Sequence, residues 1–394
     1  GVYVEEVPGT PPIAGVGTST AAFIGEVNTA APFQMPLKPG SDTDRFPPPD
    51  IDKAVLVTNF EQFKTKFGDI QPGNKVLAHA VFGFFLNGGT RCWVIRVDTG
   101  QLLVAAAVIS ALSELEKIDE IAIVAAPGAL AADVQLAIIE HCEDLKDRFA
   151  IIDGQITTDI NVPQIQGTVR DSNYAALYFP RIEVVDQTLV PTAEPIEKWR
   201  PAPGAHIFVP PSAHVAGIYA RVDETRGVHK APANEVVRGA LALEYLVTHN
   251  EQKGLNPEGI NVIRGFNGNI RVWGARTLGG KDNGEFVYIN VRRLMNFLRE
   301  SIEEGTNFVV FEPNNPALWQ RIIRSVTGFL TNVWRDGALF GNTPEEAFFV
   351  KCDETTNPPE VRELGQVVTE IGVAIVKPAE FVIFRISQLT GSAA

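Results

Sequence analysis

Five side chains are of the types that a hydrolase uses for nucleophilic catalysis, namely Ser212, His214, His229, Asp223 and Asp153. An activated serine needs a strained turn such as GxSxG and a histidine base within hydrogen-bond reach. The chain has no GxSxG motif, and Ser212 follows two prolines, a position typical of a helix N-cap. We therefore predict no catalytic residue and no enzymatic activity. A subtilisin-like hydrolase is the alternative that the residue types alone allow.

The histidines and glycines predict no cofactor. His206, His214 and His229 lack the HxxxH and HExxH spacings of metal ligands. The run Gly15-Val16-Gly17 opens like a dinucleotide fingerprint, but Thr20 stands where the third glycine belongs. The phosphate-binding pattern GxxxxGK(S/T) is also missing from the sequence. Hence we expect no metal, no nucleotide and no ATPase activity.

Composition and charge narrow the class of protein. The 394 residues are 45% hydrophobic and 21% charged, which is ordinary for folded domains, and the length favours more than one domain. The net charge of -13 offers no basic face to phosphates, so we expect no nucleic-acid partner. The stretch 221–226 carries two arginines and two acidic residues, which predicts an exposed or interface network of ion pairs.

The cysteines and the first residues predict where the protein folds. Cys92, Cys142 and Cys352 are scattered and odd in number, which favours a reducing compartment over a disulfide framework. No apolar run approaches the roughly 20 residues that cross a bilayer. The opening GVYVEEVPGT lacks the basic and apolar regions of a signal peptide. We expect cytoplasmic assembly, no direct membrane insertion, and release only by lysis or as part of a particle.

The candidate side chains depend for their positions on alternating strands and helices. Residues 20–27 are apolar enough for a central strand, and a βαβ rhythm follows from residue 54, with an amphipathic helix over 133–149. After a proline-rich spacer at 191–204, the pattern predicts a hairpin of 260–263 and 270–273, helices over 288–304 and 316–336, and strands at 307–313 and 347–352. The predicted fold class is α/β, mixed with α+β, in more than one domain.

One strand at each end of the chain has no local partner. Residues 2–7 are isolated by the turn residues that follow them, and the last strand is apolar on both faces. In that last strand Phe381, Ile383 and Arg385 face one way, and Val382, Phe384 and Ile386 face the other. Because exposed unpaired strands aggregate, the pattern predicts that these strands add to sheets of neighbouring subunits.

Long blocks of the sequence resemble contractile tail sheath proteins, which contractile phages and bacterial injection systems use. The blocks are the opening GVYVEEVPGTPPIAGVGTSTAAFIGEV, PPSAHVAGIYARVDETRGVHKAPAN (210–234), LNPEGINVIR (255–264), RVWGARTL (271–278), the stretch 288–322 and IGVAIVKPAEFVIFRI (371–386). They follow the order of the family and span nearly the whole chain, and the region 28–190 is the least diagnostic. Long blocks in order are more specific than a short motif.

The resemblance implies an architecture of four parts. They are an N-terminal linking arm at 1–20, an outer βαβ-type domain at 21–204, an inner α+β sheath core domain at 205–376 and a C-terminal linking arm at 377–394. The strands exchanged between subunits would comprise Val2, Tyr3, Val4, Glu5, Glu6, Val7, Glu380, Phe381, Val382, Ile383, Phe384, Arg385 and Ile386. The hinges would be Pro8, Gly9, Pro11, Pro12, Lys377 and Pro378.

The resemblance also implies a function without catalysis. A sheath subunit polymerises helically around an inner tube and contracts to drive the tube through a target envelope. Its partners would be other copies of itself, the inner tube protein, and baseplate and terminal cap proteins. The tube contact would involve Arg321, Arg324 and Arg335 on the helix 316–336, where the first two share a face.

The same resemblance leaves the kind of particle open. A phage virion tail and a bacterial contractile injection particle, extracellular after release or membrane-tethered, both use such a sheath, and the compact length favours the injection particle. The alternatives of another class are a non-contractile structural tail component and a secreted toxin or adhesin. The shorter, β-rich character of tube proteins disfavours the first alternative, and the missing signal peptide and cysteines disfavour the second.

Overall fold

A computed structural model of the protein describes residues 12–30 and 32–381. Its strands in chain order are β1 (Ala21–Glu26), β2 (Val55–Val57), β3 (Cys92–Val97), β4 (Ile123–Ala125), β5 (Phe149–Asp153), β6 (Ala175–Phe179), β7 (Ile182–Val185), β8 (His206–Val209), β9 (Glu235–Val236), β10 (Ala242–Leu243), β11 (Ile260–Phe266), β12 (Asn269–Val272), β13 (Phe348–Lys351) and β14 (Glu370–Val373). Most of these strands belong to one large sheet.

The large sheet is mixed, with a parallel centre. Within the described residues it has nine strands in the order β2-β3-β1-β4-β5-β6-β11-β12-β9. Neighbouring strands from β3 to β11 in this order run parallel. The outer strands β2, β12 and β9 pair antiparallel. A smaller sheet has the order β10-β7-β8.

Helices cover both faces of the large sheet. In chain order the helices are α1 (Phe60–Phe67), α2 (Lys75–Asn87), α3 (Ala105–Leu115), α4 (Ala132–Leu145), α5 (Val162–Gln166), α6 (Ser212–Arg226), α7 (His249–Leu255), α8 (Ile289–Gly305), α9 (Pro316–Arg335), α10 (Pro344–Ala347) and α11 (Pro359–Glu363). Residues of α2 and α6 share a core with Phe23 of β1, and residues of α3 and α4 share another core with Ile24. Both side chains are fully buried, so residues 21–24 of β1 are all apolar because the strand is covered on both faces.

The helices α2 and α6 approach each other closely because glycines lie at their contact. A Cβ atom on Gly217 would lie 2.3 Å from the carbonyl oxygen of Phe84, and one on Gly83 would lie 2.1 Å from the imidazole of His214. Real Cβ atoms do not approach other atoms so closely. Because glycine has no side chain, these two helices can pack closely together and cover the sheet.

The C-terminal part of the chain has its own apolar core. It joins α8, α9, β13 and β14, with Trp319 and Leu330 among its buried residues. The helix α9 starts where Asn315 Oδ1 accepts the Leu318 N–H at 3.0 Å, with Pro316 as its first residue. Its apolar side chains recur every three to four residues, so one face is buried and the other is exposed.

The structure confirms the predicted α/β class and several elements. The segment predicted as a central strand is β1, which lies inside the sheet. The predicted hairpin is β11 and β12, whose turn residues Asn267 and Gly268 have φ of 47° and 82°, as a type I′ turn requires. The large sheet also takes β9, β11 and β12 from beyond residue 204. The domain boundaries at 20, 204 and 376 stay predictions.

One predicted strand, and the end of one predicted helix, were wrong. Residues 307–313 form a 3-10 turn, Asn307–Val309, followed by a loop, and Val310 and Phe311 are 61% and 104% exposed. An apolar run becomes a strand only when a neighbouring strand supplies hydrogen bonds, and none is paired with it among the described residues. The helix predicted over 133–149 ends at Leu145, because Lys146 adopts a left-handed conformation and Phe149 already belongs to β5.

No helix in the described part of the chain is both long and apolar enough to cross a membrane.

Candidate functional site

The structure brings together only two of the five candidate catalytic residues. The Ser212 backbone N–H and hydroxyl donate to the Asp153 carboxylate at 2.9 and 2.8 Å. The Gly128 N–H donates to the same carboxylate at 3.1 Å. Burial raises the Asp153 pKa to about 6, against these hydrogen bonds, which lower it. Ser212 is the first residue of α6, and its hydroxyl bonds Asp153, so the prediction that it caps this helix was wrong.

The two candidate histidines make no contact that would activate Ser212. The His214 ring packs against Gly83 of α2, and its Nδ1 is buried without a hydrogen-bond partner. Burial lowers the His214 pKa to about 3, so the ring is neutral. His229 lies in the loop after α6, where burial also lowers its pKa. His206 is exposed on β8 and lies 3.5 Å from Glu183. Among the described residues, no cluster of side chains is suited to hold a metal ion.

Asp223 belongs to a buried ion pair. The Arg293 guanidinium donates to Asp223 Oδ1 at 2.9 Å and to Oδ2 at 2.6 Å, and the Thr18 hydroxyl donates to Oδ2 at 2.7 Å. The side chains of Arg293 and Asp223 are only 3% and 4% exposed. The pair joins α6, α8 and the segment before β1. The prediction of an exposed or interface network at 221–226 was therefore wrong for Asp223, which is buried within its own chain.

Sequence reasoning missed Arg293, although α8 carries a signal for it. Arg293 stands four residues after Ile289 and four before Phe297, so it occupies a position on the apolar stripe of the helix. An arginine at such a position is buried, and a buried charge needs a counter-ion. The signal does not reveal which acidic residue serves as the counter-ion, because Asp223 is 70 residues away in the chain.

The segment that would carry the N-terminal arm lies along α8. Ile13 is buried in the C-terminal core, and the Val16 N–H donates to the Ser301 hydroxyl at 3.1 Å. A Cβ on Gly15 would lie 2.8 Å from the Phe297 ring. The strand predicted at Val2–Val7 and the hinge residues Pro8, Gly9 and Pro11 lie outside the described residues. Pro12, the last predicted N-terminal hinge residue, is exposed.

The segment that would carry the C-terminal arm leaves the body beside β14. The Val376 N–H donates to the Ala338 carbonyl at 3.2 Å. Lys377 is exposed and Pro378 is half-buried. Glu380 accepts hydrogen bonds from Asn256, Arg276 and Tyr288. Phe381 is 72% exposed, and the other predicted strand residues, 382–386, lie outside the described residues.

The three arginines proposed for the tube contact differ in their surroundings. Arg321 is paired with Glu312 at 3.0 Å and lies over the Phe308 ring at 5.1 Å. Arg324 and Arg335 are exposed on α9, and neither forms an ion pair with another described residue. The exposed face of α9 is therefore cationic at two positions, and the third arginine is already partly neutralised.

Comparisons with known proteins agree on one family. A sequence model of the phage tail sheath protein central domain matches residues 103–278, and one of the phage tail sheath C-terminal domain matches residues 281–388. The tail sheath protein of Vibrio phage KVP40 is 28% identical over 180 residues, which are 45% of this chain and 26% of that protein. The tail sheath protein of Burkholderia phage BcepMu is 26% identical over 217 residues, 53% of this chain and 41% of that protein. The chain thus spans less than half the length of these two relatives.

Solved structures match over nearly the full length of both chains. The sheath complex of the extracellular contractile injection system PVC, in its contracted state, has a TM-score of 0.77 and 29% identity, and the match covers 98% of this chain and 97% of that one. The contracted helical sheath of the anti-feeding prophage has a TM-score of 0.78 and 28% identity, with 98% of each chain covered.

Proposed function

The chain belongs to the phage tail sheath family, and we propose that it polymerises helically around an inner tube and contracts to drive that tube through a target envelope. The observation that carries this proposal is the match to two contracted sheaths over 98% of the chain at 28–29% identity. These two matches also favour a bacterial contractile injection particle over a phage tail. Assembly would take place in the cytoplasm before the particle is released or tethered.

Exchange of terminal strands would link the subunits. The sheet of β13 and β14 has two strands in the described part of the chain, and an isolated pair of strands is marginally stable in water. The exposed Phe349 lies on this sheet, 57% accessible. Strands from the arms at Val2–Val7 and Glu380–Ile386 of neighbouring subunits would add backbone hydrogen bonds and cover such apolar surface.

Contraction would be movement of rigid bodies connected by these arms. The body has continuous apolar cores, and α8 is tied to α6 by the buried pair of Arg293 and Asp223. Packed cores switch between discrete arrangements and do not deform continuously. Head-to-tail contacts that do not close produce a helix of indefinite length. The energy would be stored in the extended packing, without nucleotide hydrolysis.

The inner tube would contact the exposed face of α9. Arg324 and Arg335 offer two positive charges without intramolecular partners among the described residues, and Arg321 could exchange Glu312 for an acidic residue of the tube. Charge complementarity of this kind sets the register and the rate of association. Baseplate and terminal cap proteins would bind the two ends of the polymer.

We propose a structural and not a catalytic role for the Ser212–Asp153 pair. A serine nucleophile needs a base, and among the described residues the only ionisable side chain bonded to Ser212 is a carboxylate that also accepts the Gly128 N–H. The fully buried serine offers no access to a substrate. The pair instead connects the start of α6 to the end of β5.

Electron microscopy of the purified chain, alone and with the tube protein from the same gene cluster, tests the proposal. Hollow helical cylinders from the chain alone, and narrower filled cylinders with the tube protein, are expected. A chain that stays monomeric under both conditions, also after restoration of any residues that precede Gly1, would contradict helical assembly. Cylinders that form only as rigid, non-contracting tubes would favour a non-contractile tail component.

A further inference from the structure

The carboxylate of Glu380 is held by donors from three separate segments of the body. Its Oε1 accepts from Asn256 Nδ2 at 2.6 Å and from Arg276 Nε at 3.0 Å. Its Oε2 accepts from Arg276 Nη2 at 2.7 Å and from the Tyr288 hydroxyl at 2.9 Å. Both oxygens are therefore engaged, and the guanidinium binds in the bidentate geometry that arginine forms with carboxylates.

The three donors are fixed by the body independently of Glu380. The Arg276 N–H donates to Asn261 Oδ1, and Asn261 Nδ2 donates to the Arg276 carbonyl, both at 2.8 Å. The backbones of Arg276 and Tyr288 form a β-bridge, and the guanidinium lies 5.9 Å from the Tyr288 ring centre. Asn256 begins the 3-10 turn that follows α7. These contacts fix the backbones that carry the three donors, and their side chains form a receptor for one carboxylate.

Burial and charge show that Glu380 is bound and not merely nearby. The side chains of Arg276 and Glu380 are 11% and 18% exposed. Burial acts to raise the Glu380 pKa, but the hydrogen bonds from Arg276, Asn256 and Tyr288 outweigh it, so the pKa is lowered. Its neighbours Ala379 and Phe381 are exposed. In this stretch the glutamate is the side chain that attaches the chain to the body.

The receptor moves the point at which the C-terminal arm can turn to a position after the predicted hinge residues. Upstream, the Val376 N–H is bonded to Ala338, and the Val376 carbonyl accepts from Asn290 Nδ2 at 3.3 Å. Downstream, Glu380 is bonded to Arg276. The predicted hinge residues Lys377 and Pro378 lie between these two attachment points, and a short segment held at both ends cannot swing the strand beyond it.

We propose that Asn256, Arg276 and Tyr288 form a carboxylate receptor that anchors the root of the C-terminal arm to its own subunit through Glu380, so that the arm turns from Phe381 onward. This inference rests on the proposed function only in assigning the segment to a linking arm. The anchor would transmit force from a neighbouring subunit to β11, through Asn261, and to α8, which Tyr288 precedes. It would also place the exchanged strand in a defined direction.

Pulsed electron paramagnetic resonance on the unassembled full chain tests the anchor. The three native cysteines are buried, so nitroxides can be directed to Phe381→Cys and Gln320→Cys, both at exposed positions. The distance distribution is expected to be narrow in the otherwise native chain. Glu380→Gln should at least double its width, because an amide presents its own N–H groups to the donors. Tyr288→Phe, which removes one donor, should widen it less.

A matched control is Glu363→Gln on α11, an exposed carboxylate in the same part of the chain, which should leave the distribution unchanged. An unchanged width in Glu380→Gln would overturn the proposal. A distribution that is already broad in the native chain would also overturn it and would place the turn at Lys377 and Pro378. Because the labelled chain is unassembled, these results do not depend on whether it forms a sheath.

Discussion

Replacement of Asp223 by asparagine is expected to destabilise the fold far more than a change of any surface charge. The variant keeps the shape of the side chain and removes its charge. Arg293 is 3% exposed, so its guanidinium would stay buried without a counter-ion. The Thr18 hydroxyl would lose a charged acceptor at the same time, which loosens the segment before β1.

The magnitude follows from the cost of an uncompensated buried charge. Removal of one partner from a buried ion pair costs about 3–5 kcal/mol. Arg293 keeps a hydrogen bond to the Thr18 carbonyl at 2.9 Å and lies 4.7 Å from the Tyr219 ring centre. These remaining interactions place the expected cost near the lower limit, about 3 kcal/mol. The double variant Asp223→Asn/Arg293→Met also removes the orphaned charge, so it should cost less than the two single variants added, by about 2 kcal/mol.

Urea denaturation of the unassembled chain measures these free energies of unfolding. Tryptophan fluorescence is suitable because Trp319 and Trp334 of α9 report on the C-terminal core. Lys198→Gln is the matched control, since Lys198 and its partner Glu194 are 65% and 58% exposed. Loss of such a surface pair should change the free energy of unfolding by no more than about 0.5 kcal/mol.

Two results would refute this reasoning. The free energy of unfolding of Asp223→Asn could fall by less than about 1 kcal/mol while its slope with urea concentration stays unchanged. That result would mean that the buried guanidinium is solvated or re-paired. Full additivity in the double variant would mean that the two side chains contribute independently, although their atoms lie 2.6 Å apart. Either outcome would remove the pair as the connection between α6 and α8.

Three further predictions concern the helix contact, the buried histidine and the tube. Gly217→Ala should destabilise the chain by about 1–3 kcal/mol, because the new methyl group has no room against Phe84. The control is Gly254→Ala on α7, where a Cβ meets nothing within 4 Å, and it should be neutral or stabilising. Equal effects of the two variants would contradict the packing argument. His214 is neutral in the fold, with a pKa lowered to about 3, but protonates near its ordinary pKa in the unfolded chain. The free energy of unfolding of the native chain therefore falls as the pH drops below about 6.5, because the unfolded chain then binds a proton that the fold does not. Relative to the native chain, His214→Leu should gain about 2 kcal/mol in free energy of unfolding between pH 6.5 and 5. A difference between the two chains that does not change with pH in urea denaturation would refute this. Charge reversal at Arg324 and Arg335 together should abolish co-assembly with the tube protein, measured by co-sedimentation and microscopy. Lys253→Glu, an exposed charge on α7, should not affect it, and filled particles from the double reversal would exclude this face of α9.

Local pattern was sufficient wherever a short window of sequence carries the whole physical cause. The apolar residues of the stretch 20–27 predict a central strand, because strands inside a parallel sheet expose neither side to water. The run from Gly265 to Gly268 predicts a hairpin, and the structure places its turn at Asn267 and Gly268, which both tolerate positive φ. The three- and four-residue recurrence of apolar side chains predicts α9 and its exposed face. Long blocks in order predict the sheath family, which the comparisons confirm.

Only the tertiary structure decided which distant polar groups meet. Glu380 and Arg276 are 104 residues apart, Asp223 and Arg293 are 70 apart, and Ser212 and Asp153 are 59 apart. No periodicity links such pairs, because their distance depends on the path of the whole chain. The same reason explains the wrong strand at 307–313, since its apolar residues satisfy a strand pattern but no partner strand is hydrogen-bonded to them among the described residues. The sequence by itself determined most of the elements and the family. Burial and charge pairing, and with them the anchor of the C-terminal arm, came from packing between segments that are remote in the chain.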